Sequence, residues 1–320
     1  MGGAVRFAIG KFCEFILTAL LVSFFTFAAF SIIPGDTARI MLGANATNEQ
    51  VEQLREELGL NAPLPQRYGT WLLNALRGDF GESVSFSKPV GSLIASRLPV
   101  TLGMSAIALI FVIAISFPMA AICSRNPGKL ADRTLSTAGH ILFAIPPFAL
   151  SMILVIFLAQ AFGILTVGKY TKPSDGFGEY LLCLLLPSFC IALPKIAMTF
   201  KFLRASMIEF ASGDFVRTSK SHGLSDLRIM LNHIIPNSAV SSVTVVSLVL
   251  SDIMGGSLIV EQVFNLPGLG RLLLSAIQRR DFPLLSGIVF YLALITVILY
   301  FAADIISAAI DPRIRDRRVS

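Results

Sequence analysis

Long apolar stretches alternate with short polar stretches along most of this 320-residue chain. Six of the apolar stretches are long enough for a helix to cross the hydrocarbon core of a bilayer, which takes about 20 residues. The predicted crossings cover residues 12–33, 98–123, 134–162, 179–199, 237–260 and 286–310. The pattern therefore predicts an all-α, polytopic membrane protein with six transmembrane helices.

The first long polar interruption, residues 34–97, is interpreted as an extracytoplasmic insert. Thr47 or Asn48 is suited to cap an amphipathic helix that Gly59 would end, because side-chain oxygens accept free N–H groups and glycine adopts left-handed backbone. A second helix is predicted over residues 68–76. We expect the insert to be a small helical lid on the bundle rather than a separate binding domain.

The second polar interruption runs from Glu209 to Asn237 and separates two strongly apolar halves of the chain. Asp214 is predicted to cap a short helix that ends at Gly223, and Ser225 is predicted to cap the next helix. Pro236 stands where a new crossing can begin, because proline is favoured in the first turn of a helix. The segment is therefore predicted to form a defined helix–turn–helix outside the bilayer.

The composition places the chain in a membrane. Hydrophobic residues make up 54% of it, charged residues make up 14%, and the mean hydropathy is +0.75, far from the values of soluble domains. The formal net charge is +6 and the pI is about 9.3, but the basic residues are spread over short loops. This spread argues against nucleic acid as a partner and is explained by the lipid bilayer.

The distribution of basic residues predicts the orientation of the chain. Counted over the termini and short loops only, fifteen Lys and Arg residues lie on the side assigned to the cytoplasm and five on the other side, so the positive-inside rule places both termini in the cytoplasm. The helix–turn–helix, residues 206–236, then also lies in the cytoplasm. The predicted division is a tail with the first crossing, an insert, a transmembrane core and a cytoplasmic tail: residues 1–33, 34–97, 98–310 and 311–320.

A few residues inside the predicted crossings are unusual for a bilayer. Pro146 and Pro147 interrupt the third crossing and are expected to kink it, either beside a water-filled pathway or for packing alone. Asp252 lies in the fifth crossing, where an ionised carboxylate costs roughly 2.5–3.5 kcal/mol, so it is expected to face the bundle or a pathway. Gly255 and Gly256 follow it on the same helix. These five residues are the candidates for lining a pathway.

Several kinds of chemistry find no support in the sequence. Residues 163–169, GILTVGK, resemble a phosphate-binding loop, but Tyr170 stands where Ser or Thr is required and no strand is predicted before the loop. The four cysteines and three histidines lack metal-ligand spacing, and neither G-x-S-x-G nor H-E-x-x-H occurs. We therefore predict no ATP site, no metal, no cofactor and no catalytic residue in this chain.

Three segments of the sequence carry distinctive motifs: residues 54–90 (LREELGLNAPLPQRYGTWLLNALRGDFGESVSFSKPV), 261–285 (EQVFNLPGLGRLLLSAIQRRDFPLL) and 311–315 (DPRIR). A fourth segment reads DFVRTSKSHGLS. All four resemble the permease subunits of ABC importers, in the branch that carries dipeptides, oligopeptides and nickel, where the fourth segment reads DYVRTARAKGLS. Its Gly223 and the later Pro236 match the cytoplasmic signature of the whole family, whereas Arg217-Thr218-Ser219 stands where that signature has Glu-Ala-Ala.

The resemblance implies a type I ABC importer permease fold, with the insert after the first helix. It also implies that residues 206–236 dock on cytoplasmic ATPases and transmit their motion. The residues that it implies for this coupling are Glu209, Asp214, Arg217, Thr218, Ser219, Gly223, Leu224, His233 and Pro236.

The partners are implied by the resemblance as well. They are a homologous second permease subunit, two ATP-binding subunits that hold ATP and Mg, and an extracytoplasmic solute-binding protein. The assembly would lie in the bacterial cytoplasmic (inner) membrane. Closure of the ATPases on ATP would then reorient the crossings between inward-open and outward-open states.

The cargo is left open by the residues themselves. The resemblance favours peptides, with nickel chelates, glutathione and opines as alternatives. An ion-driven secondary transporter that uses Asp252 as an ion site is a less favoured hypothesis, because it does not account for the capped helix–turn–helix. An intramembrane hydrolase would need a nucleophile and a base at membrane depth, and the sequence carries no motif for them.

Overall fold

The computed structural model describes residues 2–32, 37–42, 46–57, 59–162 and 170–310. A two-stranded antiparallel hairpin, β1 (Glu82–Ser83) and β2 (Lys88–Pro89), lies between α4 and α5. The α-helices within these residues are α1 (Gly2–Ile32), α2 (Thr37–Leu42), α3 (Asn48–Glu57), α4 (Leu64–Leu76), α5 (Val90–Arg125), α6 (Leu130–Ala144), α7 (Pro147–Phe162), α8 (Phe177–Ala211), α9 (Asp214–Ser221), α10 (Asp226–Ile229), α11 (Ile235–Val263), α12 (Leu269–Arg279) and α13 (Phe282–Ile310).

The helices confirm the all-α prediction and provide five crossings, or six if the bent pair α6–α7 forms one span. Among the described residues, five helices are long and apolar enough to cross a membrane, and the bent pair α6–α7 makes a sixth candidate. Helices α5 and α8 contain 36 and 35 residues, well beyond the length of about 20 that a crossing needs, so both extend past the hydrocarbon core. The five spans are Ile9–Ser31, Val90–Arg125, Phe177–Ala211, Val245–Val263 and Phe282–Ala308.

The third crossing departs from the prediction. Helix α6 ends at Ala144, α7 begins at Pro147, and their axes are bent by 105° relative to each other. The prediction of a single kinked helix over residues 134–162 is therefore wrong. Ile145 has extended backbone, as a residue before proline prefers, and Pro147 takes the first position of α7, where its missing N–H is not needed. Pro146 and Pro147 together break the helix instead of bending it.

Two predicted segments fall outside the described residues. They are the loop at residues 163–169, which was compared with a phosphate-binding loop, and the tail at residues 311–320.

The centre of the bundle is formed by α5, α8 and α11, with α5 and α8 side by side and parallel. Tyr180 Oη donates to the Pro99 carbonyl at 3.0 Å near the start of both helices, and Ser124 Oγ donates to Met207 Sδ at 3.8 Å near their ends. Gly103 permits this approach, because a Cβ there would lie 2.7 Å from Tyr180 Oη. The core among the three helices includes Val100, Met104, Ala108, Val112, Leu184, Ile191, Val249 and Ile253.

The helices of the insert begin and end close to where the sequence predicts. The Gln50 N–H donates to Thr47 Oγ1 at 3.3 Å and the Thr47 N–H donates to Gln50 Oε1 at 3.0 Å, so Thr47 caps α3 in a reciprocal capping box. Gly59 is left-handed, with φ of +64°, as predicted. Helix α4 begins at Leu64, earlier than the predicted residue 68, because Pro65 is well suited to its first turn.

The insert packs on α1 and α13 through aromatic rings. The Trp71 ring of α4 lies 5.4 Å from that of Phe27 in α1 and 5.2 Å from that of Phe290 in α13, measured between centroids. The β-hairpin is fastened to the start of α13 by the buried Asp281, which accepts Ser83 Oγ at 2.5 Å and also caps α13 through the Leu284 N–H at 3.2 Å. The insert therefore covers one end of the bundle.

Candidate coupling segment and translocation pathway

The predicted coupling segment begins with α9, Asp214–Ser221. Gly213 occupies the N-cap position and Asp214 is the first helical residue, so the prediction that Asp214 caps this helix is wrong. A Cβ at position 213 would lie 2.9 Å from the ring of Phe215, which favours glycine over a capping side chain. Asp214 still stabilises α9, because a carboxylate in the first turn faces the positive end of the helix dipole.

The end of α9 is a Schellman motif. The Gly223 N–H donates to the Lys220 carbonyl at 2.9 Å, and the Leu224 N–H donates to the Ser219 carbonyl at 3.2 Å. Gly223 is left-handed, with φ of +76°, which confirms the prediction of a glycine stop. Because both bonds of the motif are present, the direction of the chain after α9 is fixed by backbone geometry.

The second half of the segment leads directly into a membrane span. Ser225 Oγ accepts the Arg228 N–H at 3.4 Å, which confirms Ser225 as the cap of α10. One π-helical turn, Met230–Ile234, then joins α10 to α11, and Pro236 lies in the first turn of α11 as predicted. Since helical structure continues without a break from Asp226 to Val263, a displacement of α10 is transmitted to the core of the bundle.

One side of the helix–turn–helix is buried and the other is exposed. Its buried side chains pack on the ends of α5 and α8, and Leu224 lies half-buried against the same cluster. The outer side carries exposed apolar side chains at Phe215, Leu227 and Leu231. The buried residues are Val216, Ile229, Met230 and Ile234, and their partners include Cys123, Phe200, Leu203 and Met207.

The structure brings the predicted coupling residues together on this one segment and leaves most of them open to a partner. The Thr218 and Ser219 hydroxyls donate to carbonyls one turn earlier in α9, so they hold the helix and do not project freely. The ring of His233 lies 6.5 Å from that of Phe215, and it joins the two arms of the turn. The exposed residues are Glu209, Asp214, Arg217, Thr218, Gly223 and Pro236, and those half-buried are Ser219, Leu224 and His233.

A buried ion pair that the sequence did not predict supports the segment. Asp132 of α6 is 3% exposed and accepts Arg204 Nε and Arg204 Nη2 of α8, the latter at 2.6 Å. The Gly128 N–H donates to the same carboxylate at 2.7 Å. The pair ties α6 to the last turns of α8, immediately before the segment. Its two members are 72 residues apart, so no local pattern could reveal it.

Asp252 of α11 is also paired. Lys195 Nζ of α8 donates to Asp252 Oδ2 at 2.8 Å. The prediction that Lys195 lies among the cytoplasmic basic residues is wrong, because it lies near the middle of α8 and not at its end. Fourteen basic residues then remain on the predicted cytoplasmic side, so the prediction of orientation is unchanged.

The exposed residues around Asp252 form one stripe on α11. Leu248, Asp252, Gly255 and Ile259 are exposed, and they are spaced so that they lie on the same side of the helix. A Cβ added at Gly255 or Gly256 would meet nothing within 4 Å. The other pathway candidates, Pro146 and Pro147, lie at the break before α7, a helix that packs against both α8 and α11.

A second buried carboxylate, Glu261, holds the start of α12. It is fully buried and accepts Thr101 Oγ1 at 2.6 Å, the Gly270 N–H at 2.7 Å and the Arg271 N–H at 3.3 Å. A Cβ at Gly268 would overlap the Glu261 carboxylate, and a Cβ at Gly270 would overlap the backbone of α11. Residues 261–285 are one of the segments that carry the family resemblance in the sequence. The hydrogen bonds of Glu261 explain why a carboxylate and two glycines occur together in this segment.

Comparison with known proteins decides the family. A family model described as binding-protein-dependent transport system inner membrane component matches residues 113–316. A second model, for the N-terminal part of such membrane components, matches residues 4–106. The chain belongs to this family.

Curated relatives match over nearly the whole chain. The probable peptide ABC transporter permease protein y4tP of Sinorhizobium fredii is 34% identical over 300 residues, which cover 94% of this chain and 96% of that protein. The glutathione transport system permease protein GsiC of Escherichia coli K12 is 31% identical over 312 residues, which cover 97% and 99% of the two chains. A putative peptide transport system permease protein of Brucella abortus is 33% identical over 305 residues, which cover 95% and 97%.

A solved structure supports the fold. A chain of the MetNI methionine ABC transporter, in an inward-facing conformation, aligns with a TM-score of 0.56 and 20% identity, covering 68% of this chain and 96% of that chain. At this identity the match concerns the fold alone. The chain is therefore a multi-pass inner-membrane permease subunit of an ABC importer, with the fold of the type I importer permeases. Such a subunit works with a partner permease, ATPases and a binding protein.

Proposed function

We propose that this chain carries peptides, as one half of a heterodimer with a homologous second permease. Two ATP-binding subunits act on its cytoplasmic side, and an extracytoplasmic solute-binding protein delivers the cargo. The proposal of peptide cargo is supported by relatives of 33–34% identity that are named peptide permeases and match nearly end to end. The observation that carries the coupling part is the Gly223 stop, which fixes the angle between two partly exposed helices.

In this proposal the ATPases bind the exposed side of α9 and α10. Phe215, Leu227 and Leu231 supply the apolar contact area, and Arg217 and Asp214 supply charge. The buried side is packed on α5 and α8, and α10 is continuous with α11, so closure of the ATPases displaces three core helices together. The crossings then alternate between inward-open and outward-open arrangements, with Asp252, Gly255 and Gly256 beside the moving peptide.

The chain itself makes and breaks no bond in this proposal. ATP and Mg are bound by the partner ATPases, and the chain needs no cofactor and no resident metal. Tyr170 replaces the Ser or Thr that a phosphate loop requires after GILTVGK, so this sequence supplies no ATP site there. Both termini lie in the cytoplasm, because fourteen basic residues of the termini and short loops remain on that side against five in the short loops on the other.

The proposal is tested with the whole complex. The chain is co-expressed with its second permease, ATPases and binding protein, reconstituted in liposomes and supplied with radiolabelled dialanine and ATP. We expect uptake that requires ATP, the binding protein and this chain. Uptake that follows an imposed ion gradient and does not require the ATPases would contradict the proposal and favour an ion-driven transporter.

Glutathione is a second candidate cargo, because permeases named for it are 31% identical over nearly the whole chain. Glutathione is itself a tripeptide, so a peptide pathway suits its backbone. Competition separates the two: unlabelled glutathione in excess should leave dialanine uptake unchanged if the complex is specific for simple peptides. Strong competition would show that the complex also accepts glutathione.

A further inference from the structure

The ion pair between Lys195 and Asp252 lies near mid-depth in the membrane. Along α8, Lys195 is about 14 Å from Arg204, whose ion pair lies toward one end of the bundle, at about 1.5 Å per residue. Along α11, Asp252 is about 14 Å from Glu261, which lies toward the opposite end. The hydrocarbon core of a bilayer is about 30 Å thick, so these distances place the pair close to its centre.

The pair opens onto a surface that cannot face lipid. The Asp252 side chain is 50% exposed and the Lys195 side chain is 17% exposed. The exposed stripe of α11 carries Asp252 and Gly255, and ionisable groups at this depth face protein or a water-filled cavity. A Cβ added at Gly255, about one turn from Asp252, would meet nothing within 4 Å, so the described residues do not crowd this side of α11. The carboxylate is therefore accessible to a solute from this face of the helix.

The pair differs from the buried acidic residues of the chain in how it is held. Asp132, Glu261 and Asp281 each accept at least one backbone N–H, which fixes the carboxylate in place. Within the part of the chain that the structure describes, Lys195 and Asp252 are joined only to each other. Since both partners are side chains, and lysine has a long flexible stem, the bond can open without any change in the backbone.

We propose that Lys195 and Asp252 form a binding site for zwitterions inside the pathway. When a short peptide binds, the ion pair between the two side chains opens, and each side chain pairs with one charged end of the peptide. The peptide carboxylate pairs with the Lys195 ammonium, and the peptide ammonium pairs with the Asp252 carboxylate. The site and the peptide are each neutral overall, so neither the empty nor the occupied site leaves a net charge in the membrane. The class of ligand is a dipeptide-sized molecule with both termini free.

The size limit follows from the reach of one side chain. A dipeptide spans about 7 Å when extended, and the swing of one lysine stem is of the same order. A longer peptide would hold its charges too far apart to meet both residues at once. This inference rests on the proposed function, because it assumes that peptides pass along α11.

The first test removes both charges and keeps the shapes. The double variant Lys195→Gln with Asp252→Asn is compared with wild type for dialanine uptake, per complex recovered with its partner subunits. We expect uptake to fall by about tenfold or more, the factor expected for losing one hydrogen bond to a charged group.

A matched control pair is present in the same chain. Lys11 of α1 and Asp304 of α13 are joined at 2.6 Å, and their side chains are 11% and 51% exposed, close to the values of the central pair. Lys11→Gln with Asp304→Asn should leave uptake within about twofold of wild type. It removes an ion pair of similar exposure, together with the 2.6 Å bond between Lys11 and Glu14, away from the proposed site.

The second test separates a binding site from a bond that merely packs two helices. Asp252→Asn leaves Lys195 positive and alone, so uptake of glutamylalanine relative to lysylalanine should rise by about tenfold compared with wild type. Lys195→Met leaves Asp252 negative and should shift the same ratio in the opposite direction. The binding protein is the same in every complex, so its own preference cancels in this comparison.

Two results would overturn the inference. One is dialanine uptake by the central double variant within about twofold of wild type. The other is a loss of uptake in that variant with an unchanged glutamylalanine to lysylalanine ratio in both single variants, which would assign the pair to helix packing. A wild-type complex that takes up no dipeptide would contradict the proposed function itself, and is thereby distinguished from failure of this inference alone.

Discussion

Thr101 and Glu261 lie 160 residues apart and form a hydrogen bond of 2.6 Å inside the bundle. Thr101 Oγ1 also accepts the N–H of Leu269 at 2.9 Å, so one hydroxyl joins α5, α11 and the start of α12. The carboxylate meets two further backbone N–H groups at the beginning of α12, where the helix dipole favours negative charge. This contact holds the connection between the last two spans.

Glu261→Ala should lower the stability of the folded chain. Truncation leaves Thr101 and two backbone N–H groups without their acceptor in a buried place, and each such group costs about 1–3 kcal/mol. Glu261→Gln should have a smaller effect, because the amide oxygen still accepts. The measurement is the temperature at which the monodisperse protein is lost in detergent. Glu49→Ala, at an exposed position of α3, is the control, and an equal melting temperature for both alanine variants would contradict this role.

Gly223→Val should uncouple the ATPases from transport. The left-handed backbone at position 223 strains any residue with a side chain by about 1–2 kcal/mol. This energy is small beside the stability of the bundle, so membrane insertion and pairing with the second permease should persist. Co-purification of the ATPases and uptake should both decrease.

Gly59→Val provides the comparison for this variant. Gly59 is also left-handed, with φ of +64°, and a Cβ there would meet nothing within 4 Å. The backbone strain is of the same kind, but Gly59 lies in the insert and not in α9 or α10. If the two variants reduce ATPase binding equally, the helix–turn–helix is not the coupling element.

Arg204→Gln should destabilise the chain strongly. Removing one member of a buried ion pair costs about 3–5 kcal/mol, because the other charge stays buried without its partner. Asp132→Asn added to it should recover much of the loss, since the uncompensated carboxylate is then gone. Melting temperatures of wild type, the two single variants and the double variant complete the cycle. Additive losses would show that the two side chains do not interact.

The orientation is checked with cysteines at Ser87 and Asn126. Both positions are exposed, and the predicted topology places them on opposite sides of the membrane. A membrane-impermeant maleimide added to spheroplasts should label Ser87→Cys, and label Asn126→Cys only after lysis. Wild-type protein is the control, because it shows how much label the four native cysteines take up. Labelling of both variants from the same side would contradict six crossings with cytoplasmic termini.

Local backbone features were predictable, because the residues that make them are neighbours in sequence. The predicted helix stops are present at Gly223 and Gly59, which have left-handed backbone. The predicted helix caps are present at Ser225 and Thr47, whose hydroxyl oxygens accept backbone N–H groups. The same local logic failed at Asp214, where the ring of Phe215 crowds the preceding position and glycine takes the cap.

Contacts between distant residues were not predictable. Asp252 was noticed because a carboxylate stands out in an apolar run, but its partner Lys195 resembled one more basic residue of a loop. Arg204 was likewise counted only as charge. The break at Pro146 and Pro147 was located correctly, whereas its 105° angle depends on how α7 packs on α8 and α11. Membrane-depth pairing and packing are properties of the assembled bundle.

The pairing of Asp132 with Arg204 also sets an order of events during synthesis. The ribosome adds 72 residues between the two, which takes about 4–14 s at bacterial or eukaryotic elongation rates of about 5–20 residues per second. Through that interval the carboxylate has no guanidinium, so the start of α6 must remain in contact with water. Helix α6 can settle into its final position only after α8 has emerged, and the chain therefore completes this end of the bundle later than the order of its helices suggests.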